Sequence, residues 1–445
     1  MAARKILIRA GLSPLDHSSV SDIIRNNMIG GNVGNLVYAY SLFRMLMTDP
    51  ETVLVPDYYK AESGLFTDRY ADRISEEYEM YLIPLPDAFR SDFVQGLENL
   101  TKFVRRLKIP AVIIGCGIKA KLTQDISRGY AFDDTVLAFL KAVLEHSPMI
   151  GLRGERTMEY VQHLGLIPEK DATVIGCPSM YAFGPELAIR EPCVQPDSKI
   201  IVTNNPYAPS KVHRFLRRVM EEYPQAFFIP QRQEELQEMY LGTPLSATAL
   251  SKAAAKAPDY PRTIHDEVFS SGRSAFYLDY RSWRNAVSDA DLCIGPRLHG
   301  NITCLLSGVP SLLIAKDMRT QEAADYHRFS YILQDEITDE TALPSLLNRI
   351  DVKKTCEAQR ENFLHYTRFL SECGIRHIYE DPDHPKESVL DKKLEGRKYR
   401  PPVRPASSVP PVVRLLRHRA EWWKVYNLLP EGIRQSVRQK LGRKV

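Results

Sequence analysis

Apolar positions along the chain fall into two alternating patterns. Short unbroken apolar runs at Lys5–Arg9, Ala111–Gly115, Met149–Leu152 and Thr173–Gly176 predict strands. Between them Leu36, Tyr40, Phe43, Leu46 and Met47 recur at helical spacing. Leu36–Met47 is therefore expected to be a helix, as are Thr135–Glu145 and Thr157–Leu164, the last stopped by Gly165. A Pro-rich stretch from Pro185 to Pro196 interrupts the rhythm as a linker would. Strands then follow over Lys199–Thr203, Ala226–Ile229, Ser274–Leu278, Asp291–Ile294 and Ser311–Ala315. Helices over Lys211–Glu222, 233–257, Tyr280–Val287 and Leu298–Leu306 alternate with them. Such alternation makes an α/β protein with parallel sheets. It predicts a Rossmann-like domain over 1–185, a second over 196–335, a helical return segment over 336–390 and a tail over 391–445.

A length of 445 residues agrees with two domains, since single cores stop growing well below that size. No apolar run reaches the ~18 residues that would cross a membrane. The start, Met1–Ala10, is basic, but its apolar part is too short for a signal peptide and reads as a first strand. Seven cysteines are scattered and never in C-x-x-C spacing, which points to reduced thiols in a cytoplasmic protein, each a small buried apolar residue. Net charge of +4 is unevenly spread: residues 391–445 hold 15 Lys/Arg against 4 Asp/Glu, leaving 44 against 51 elsewhere. The body is therefore mildly acidic, and a nucleic-acid partner is not indicated.

Four loops follow predicted strands: Gly30–Asn35, Gly115–Gly117, Arg153–Thr157 and Gly295–His299. In an open α/β sheet these are the places where ligands bind. Asp291-Leu-Cys-Ile-Gly-Pro-Arg-Leu-His-Gly300 is the most informative of them, a buried strand running into Arg297 and His299 at the mouth of a helix. A helix N-terminus favours anions, an arginine adds a bidentate clamp and a histidine can donate a proton. Arg153 stands in the corresponding place in the first domain, with Thr157 as a helix N-cap. Asp317 and Arg319, after the next strand, share the rim of Arg297. The Gly30–Asn35 loop is not G-x-G-x-x-G, so a dinucleotide site is poorly supported. The D-x-D of Asp289 and Asp291 fits capping better than a metal site. No metal motif, P-loop or G-x-S-x-G is present.

Over roughly residues 28–330 the chain resembles the polysaccharide pyruvyl transferase family. The resemblance rests on Gly31-Asn-Val-Gly-Asn35, Gly151-Leu-Arg-Gly-Glu-Arg-Thr157 and Ile175-Gly-Cys-Pro-Ser179. Its most specific part is Ala290–Gly300 followed by Ser307-Gly-Val-Pro310. It implies two Rossmann-like domains facing a cleft, as in glycosyltransferase-B enzymes, with the acceptor on the first and the donor on the second. It also implies a phosphoenolpyruvate donor and a glycan or lipid-linked oligosaccharide acceptor, ketalised at two hydroxyls without a metal or organic cofactor. By that likeness Arg153, Arg297 and His299 are donor-binding positions, His299 and Arg297 catalytic, and Gly31, Asn32, Gly34, Asn35, Asp317 and Arg319 further substrate contacts. The chain departs from the pattern at Asn35, aspartate in many members, at Gly300, frequently alanine, and at Arg319, frequently lysine. His299 is expected either to donate the proton or to stabilise departing phosphate. A nucleotide-sugar glycosyltransferase and a non-catalytic glycan-binding protein are the competing readings.

The tail predicts a basic amphipathic helix over Val412–Leu429, with Leu415, Leu416, Trp422, Trp423 and Tyr426 on one face and Arg414, Arg417 and Lys424 on the other. Such a helix suits an anionic membrane surface, placing the protein peripherally on the inner face of the cell membrane, or equally a face of the protein or of a partner.

Overall fold

A computed structural model of the chain describes residues 4–242, 259–413 and 417. Eleven strands are named among the described residues, and every pairing between them is parallel. The first sheet has the order β2 (Val53–Pro56), β1 (Lys5–Ile8), β3 (Met80–Pro84), β4 (Ala111–Ile114). A further pair, β5 (Ile150–Leu152) and β6 (Ala172–Val174), extends it through the Cys116–Leu152 bridge. The second sheet has the order β11 (Tyr331–Leu333), β10 (Ser311–Ala315), β9 (Leu292–Gly295), β7 (Ile200–Val202), β8 (Phe227–Phe228). Two Rossmann-like domains result. Strands β4, β9 and β10 are buried throughout, which is why they read as unbroken apolar runs.

In both sheets the order in which the chain adds strands reverses part-way. In the first, the chain winds outward from β1 to β2 on one side and from β3 to β4 on the other; in the second, β7 and β9 are the diverging neighbours. The crevice beyond the carboxyl ends at such a reversal is where open α/β sheets take ligands. Arg9 follows β1 and donates from Nη1 to the carbonyl of Pro84, the last residue of β3, at 2.9 Å. Arg297 follows β9 and donates from Nε to the Asn204 carbonyl after β7 at 2.7 Å. Each domain thus carries one arginine across its own reversal point.

Several expectations need correction. Val53–Pro56 and Met80–Pro84 are strands, and Asp68–Glu77 and Val94–Arg106 helices, none of which the apolar pattern singled out. Ser274–Leu278 is no strand; only single bridges form there, Phe228 with Ser274 and Phe276 with Val403. The helix expected from 233 ends at Leu241, where Gly242 takes a left-handed conformation, and residues 243–257 lie outside the described ones. Thr157 is not an N-cap: the helix Glu155–His163 is capped by Gly154, and Thr157 sits inside its first turn. Cys193 is exposed and Cys356 partly so, whereas the other five cysteines are buried, and all seven are free.

Within the expected return segment over 336–390 the long helix is Val352–Glu372, which packs against residues 180–184. Gln359 donates to the carbonyls of Met180 and Gly184, and Tyr366 stacks on Tyr181 at 4.6 Å. The expected helix over Val412–Leu429 lies outside the described residues apart from Val412, Val413 and Arg417. No helix among the described residues is long and apolar enough to cross a membrane.

Candidate active site

The Gly30–Asn35 loop is a clasp between the domains. Val33 N–H donates to the Gln231 carbonyl at 2.8 Å and Gln233 N–H to that of Gly31 at 3.1 Å. Asn32 accepts from Gly34 N–H through Oδ1 at 2.7 Å, and Asn35 donates from Nδ2 to the Ile29 carbonyl at 2.9 Å. That second bond needs an amide, so a carboxylate at Asn35 would set charge against a carbonyl. The loop delivers the helix Gly34–Leu46 onto His299: a Cβ on Gly34 would lie 2.6 Å from His299 Nδ1. Gly34→Ala is expected to lower the melting temperature. Overpacking costs ~1–3 kcal/mol, more than the ~1 kcal/mol that alanine gains over glycine in a helix. An unchanged thermal melt would show that the domains do not press together at this point.

Arg297 precedes the helix Leu298–Leu305, whose first turn no side chain caps. Gly300 in that turn explains its departure from the commoner alanine: a Cβ would lie 2.5 Å from Gln231 Nε2 and 2.6 Å from Thr203 Cγ2. Arg297 is 6% exposed, and the carboxylate that acts on it most strongly is Glu235, 3.8 Å away. Burial outweighs Glu235 and lowers its pKa to about 10, so it remains charged at neutral pH. Glu235 is itself fully buried and accepts from the backbone N–H of Gln231 and Arg232 and from Tyr260.

His299 stands at the centre of the constellation and is partly exposed. Its Nε2 is 3.9 Å from Cys177 Sγ, and Arg153 donates to the same sulfur from Nη2 at 3.1 Å. The ring lies edge-on to Tyr38, over whose face Arg153 sits at 5.6 Å. Burial, then the charges of Arg153 and Arg319, push the imidazole pKa well below its ordinary value, so it is neutral at pH 7. Arg319 donates to Asp87 in the first domain at 2.8 Å and lies 3.7 Å from Asp317. Asp317 caps the helix Met318–His327 by accepting from Thr320 N–H, and it pairs with Lys316 at 2.8 Å. Its role here is to anchor cations.

Arg153, Arg297, Arg319 and His299, four of the expected residues, are therefore brought together from both domains. Arg153 Nε, Arg297 Nη2 and Arg319 Nε are each buried without a hydrogen-bond partner. Gly31, Asn32, Gly34 and Asn35 form the frame beside them.

Two residues escaped the sequence reading. Glu322, 2% exposed, reaches from the second domain to accept from Thr157 N–H and Oγ1, both at 2.9 Å. Burial, opposed by these bonds and by Arg153 and Arg319, raises its pKa to about 7. Gly154 makes room for it, since a Cβ there would be 2.7 Å from the Glu322 side chain. Arg9 is the other, paired with Glu62 at 2.5 Å and stacked over Tyr59. Tyr58 and Tyr59 both hold positive φ, of 51° and 58°, a strain that bulky side chains rarely bear and that gathers at functional sites. A position immediately after β1 was the available signal for Arg9; nothing local marks Glu322.

Asp291 and Asp289 both serve Lys199, by its N–H at 2.8 Å and its Nζ at 2.5 Å, at the amino ends of β7 and β9, whereas Arg297 follows the carboxyl end of β9. Among the described residues no group of histidines, cysteines and carboxylates could hold a metal.

The fold is similar to that of UDP-GlcNAc 2-epimerase from Neisseria meningitidis, at 10% identity over 83% of this chain and 100% of that one, TM-score 0.43. Sucrose-phosphate synthase from Thermosynechococcus elongatus gives 11% identity over 83% and 97%, TM-score 0.40. At these scores the likeness adds nothing to the sheet order itself. No curated protein matches the sequence. A family model described as polysaccharide pyruvyl transferase, however, matches residues 32–317, from the interdomain clasp through Arg153 and the Arg297–His299 turn to Asp317. That span takes in most of the constellation and more than half of the chain, and the protein belongs to the polysaccharide pyruvyl transferase family.

Proposed function

We propose that the cleft binds phosphoenolpyruvate and that the protein transfers its pyruvyl group to two hydroxyls of a saccharide, in a surface polysaccharide or its lipid-linked precursor, as a ketal. The observation that carries this reading is the set of three guanidinium groups, each with a buried N–H left open, around one neutral histidine. Phosphoenolpyruvate offers a carboxylate and a phosphate close together, which suits several forked cations and an uncapped helix N-terminus. Protonation of the methylene carbon makes C2 electrophilic. One sugar hydroxyl adds and gives up its proton, phosphate leaves, and the second hydroxyl closes the ring as its own proton passes to the departing phosphate. Arg297 and Arg319 hold the phosphate end, Arg153 the carboxylate, and Arg9 with Tyr59 faces the acceptor side.

A dianion beside His299 offsets the charges of Arg153 and Arg319, which add to burial in keeping it neutral, so the imidazole is expected to gain a proton as donor binds and can then pass one on. Calorimetry of phosphoenolpyruvate binding at pH 7, in two buffers of different ionisation enthalpy, is expected to show net proton uptake. His299→Gln should remove most of it. Uptake that persists in full in this variant would take the proton away from His299. UDP and GDP in the same titration test the glycosyltransferase alternative: preference for a nucleotide over phosphoenolpyruvate overturns the proposal.

A further inference from the structure

A cavity of about 260 Å³ opens where the loop Leu12–Ser18, the helix Gly34–Leu46, the turn Leu278–Arg281 and the segment 394–400 meet. It is a different place from the cluster around His299. At 100° per residue, Gly34 and Tyr38 lie on the helix face turned to His299, whereas Leu36 and Tyr40, which line the cavity, lie on the opposite face.

Its walls combine apolar groups, among them Leu12, Leu36 and Leu394, with Arg281, Arg397, Lys398 and Arg400. Two acids are present, and both are already engaged. Asp279 caps its helix through Arg281 N–H at 2.9 Å, pairs with Arg281 at 3.2 Å and accepts from Arg400 N–H at 3.1 Å. Asp16 accepts from Ser13 N–H at 2.7 Å. Arg397, Lys398 and Arg400 enter no ion pair among the described residues, and Arg400 Nη1 is buried without a partner. Four cations face two occupied carboxylates, so the cavity is short of negative charge. Burial has already lowered the Arg400 pKa, a cost that a bound anion would offset.

We propose that this cavity is a second anion site, separate from the donor cleft, which takes the phosphate or diphosphate of an organic ester and sets its non-ionic part against the leucines. Guanidinium forks and a lysine supply the charge, and the volume exceeds what a bare phosphate fills. Both domains and the start of the basic tail contribute to it, so its ligand ties the three together. The proposal does not depend on which donor the other site binds.

The test uses the full chain with Arg297→Ala, to silence the donor cleft, with and without Lys398→Glu. Lys398 is exposed, so reversing its charge leaves the core intact. Glucose 1-phosphate and inorganic diphosphate are titrated by calorimetry, and flotation compares phosphatidylcholine vesicles with and without phosphatidylglycerol. Binding of either soluble probe that Lys398→Glu weakens at least tenfold, and that added salt weakens in the parent, establishes the site for soluble esters. Flotation dependent on phosphatidylglycerol and lost in Lys398→Glu assigns the site to lipid phosphate. Equal affinities and equal flotation in the two proteins overturn it, as does the absence of any binding. The milder Lys398→Gln replaces the reversal if its thermal melt is altered. Should phosphoenolpyruvate fail to bind the wild type while these probes still respond to position 398, only the donor assignment falls.

Discussion

Replacing Arg297 with alanine is expected to weaken phosphoenolpyruvate binding by at least ~3 kcal/mol, more than about a hundredfold. Arg297 is nearly enclosed, still charged, tethered by Nε to Asn204 and open at Nη2. A ligand anion at that nitrogen makes a charge-assisted bond in a dry setting, where its loss costs most. Lysine keeps the charge but neither the fork nor the Asn204 bond, so Arg297→Lys should recover only part of the affinity. The substitution also strands Glu235, whose charge Arg297 offsets more than any other cation does. Fold damage and lost recognition can be separated with Arg297→Ala/Glu235→Gln, which should regain melting temperature without regaining binding. Near-normal affinity in either alanine variant would remove Arg297 from the donor site.

The second large effect belongs to Glu322, which joins the two domains through Thr157. Glu322→Ala leaves the Thr157 N–H and hydroxyl without their acceptor and opens a void, a loss of about 3 kcal/mol. Glu322→Gln retains an acceptor and should cost less. The pH dependence gives the sharper test. The carboxyl has a pKa of 4.5 ordinarily and about 7 in the fold, so between those values the folded chain binds more protons than the unfolded one. Its contribution therefore declines as pH rises through that window, by up to about 3 kcal/mol in all, and levels off above pH 7. Denaturant melts of wild type and Glu322→Gln at several pH values should diverge in slope between about pH 5 and 7. Parallel curves would mean that Glu322 ionises like a solvated carboxylate.

The cost falls on the residue that helps keep Arg153 in place. The N–H groups of the first turn of Glu155–His163 form a natural anion seat, and Glu322 occupies it from the other domain. Arg153, one residue before the Gly154 cap, is thereby left to face Cys177 and His299.

The sequence by itself determined the α/β class, the alternation of both halves, and the turn carrying Arg297 and His299. Each of these is a local property: a buried parallel strand shows as an unbroken apolar run, and a glycine-rich turn into a helix shows in the residue types. It missed β2, which is short and half-buried, and β3, a buried run set between strongly charged helices that blur the apolar rhythm. It mistook Ser274–Leu278 for a strand because apolar residues buried beneath a neighbouring segment look the same as paired ones. Only the tertiary structure decided that the Gly30–Asn35 loop is an interdomain clasp, that Asp317 anchors cations and that Glu322 bridges the domains. The Thr157–Glu322 contact spans 165 residues, and the Arg319–Asp87 contact spans 232. Such pairs leave no periodicity in the chain, since burial and electrostatics act through space between groups that folding alone brings together.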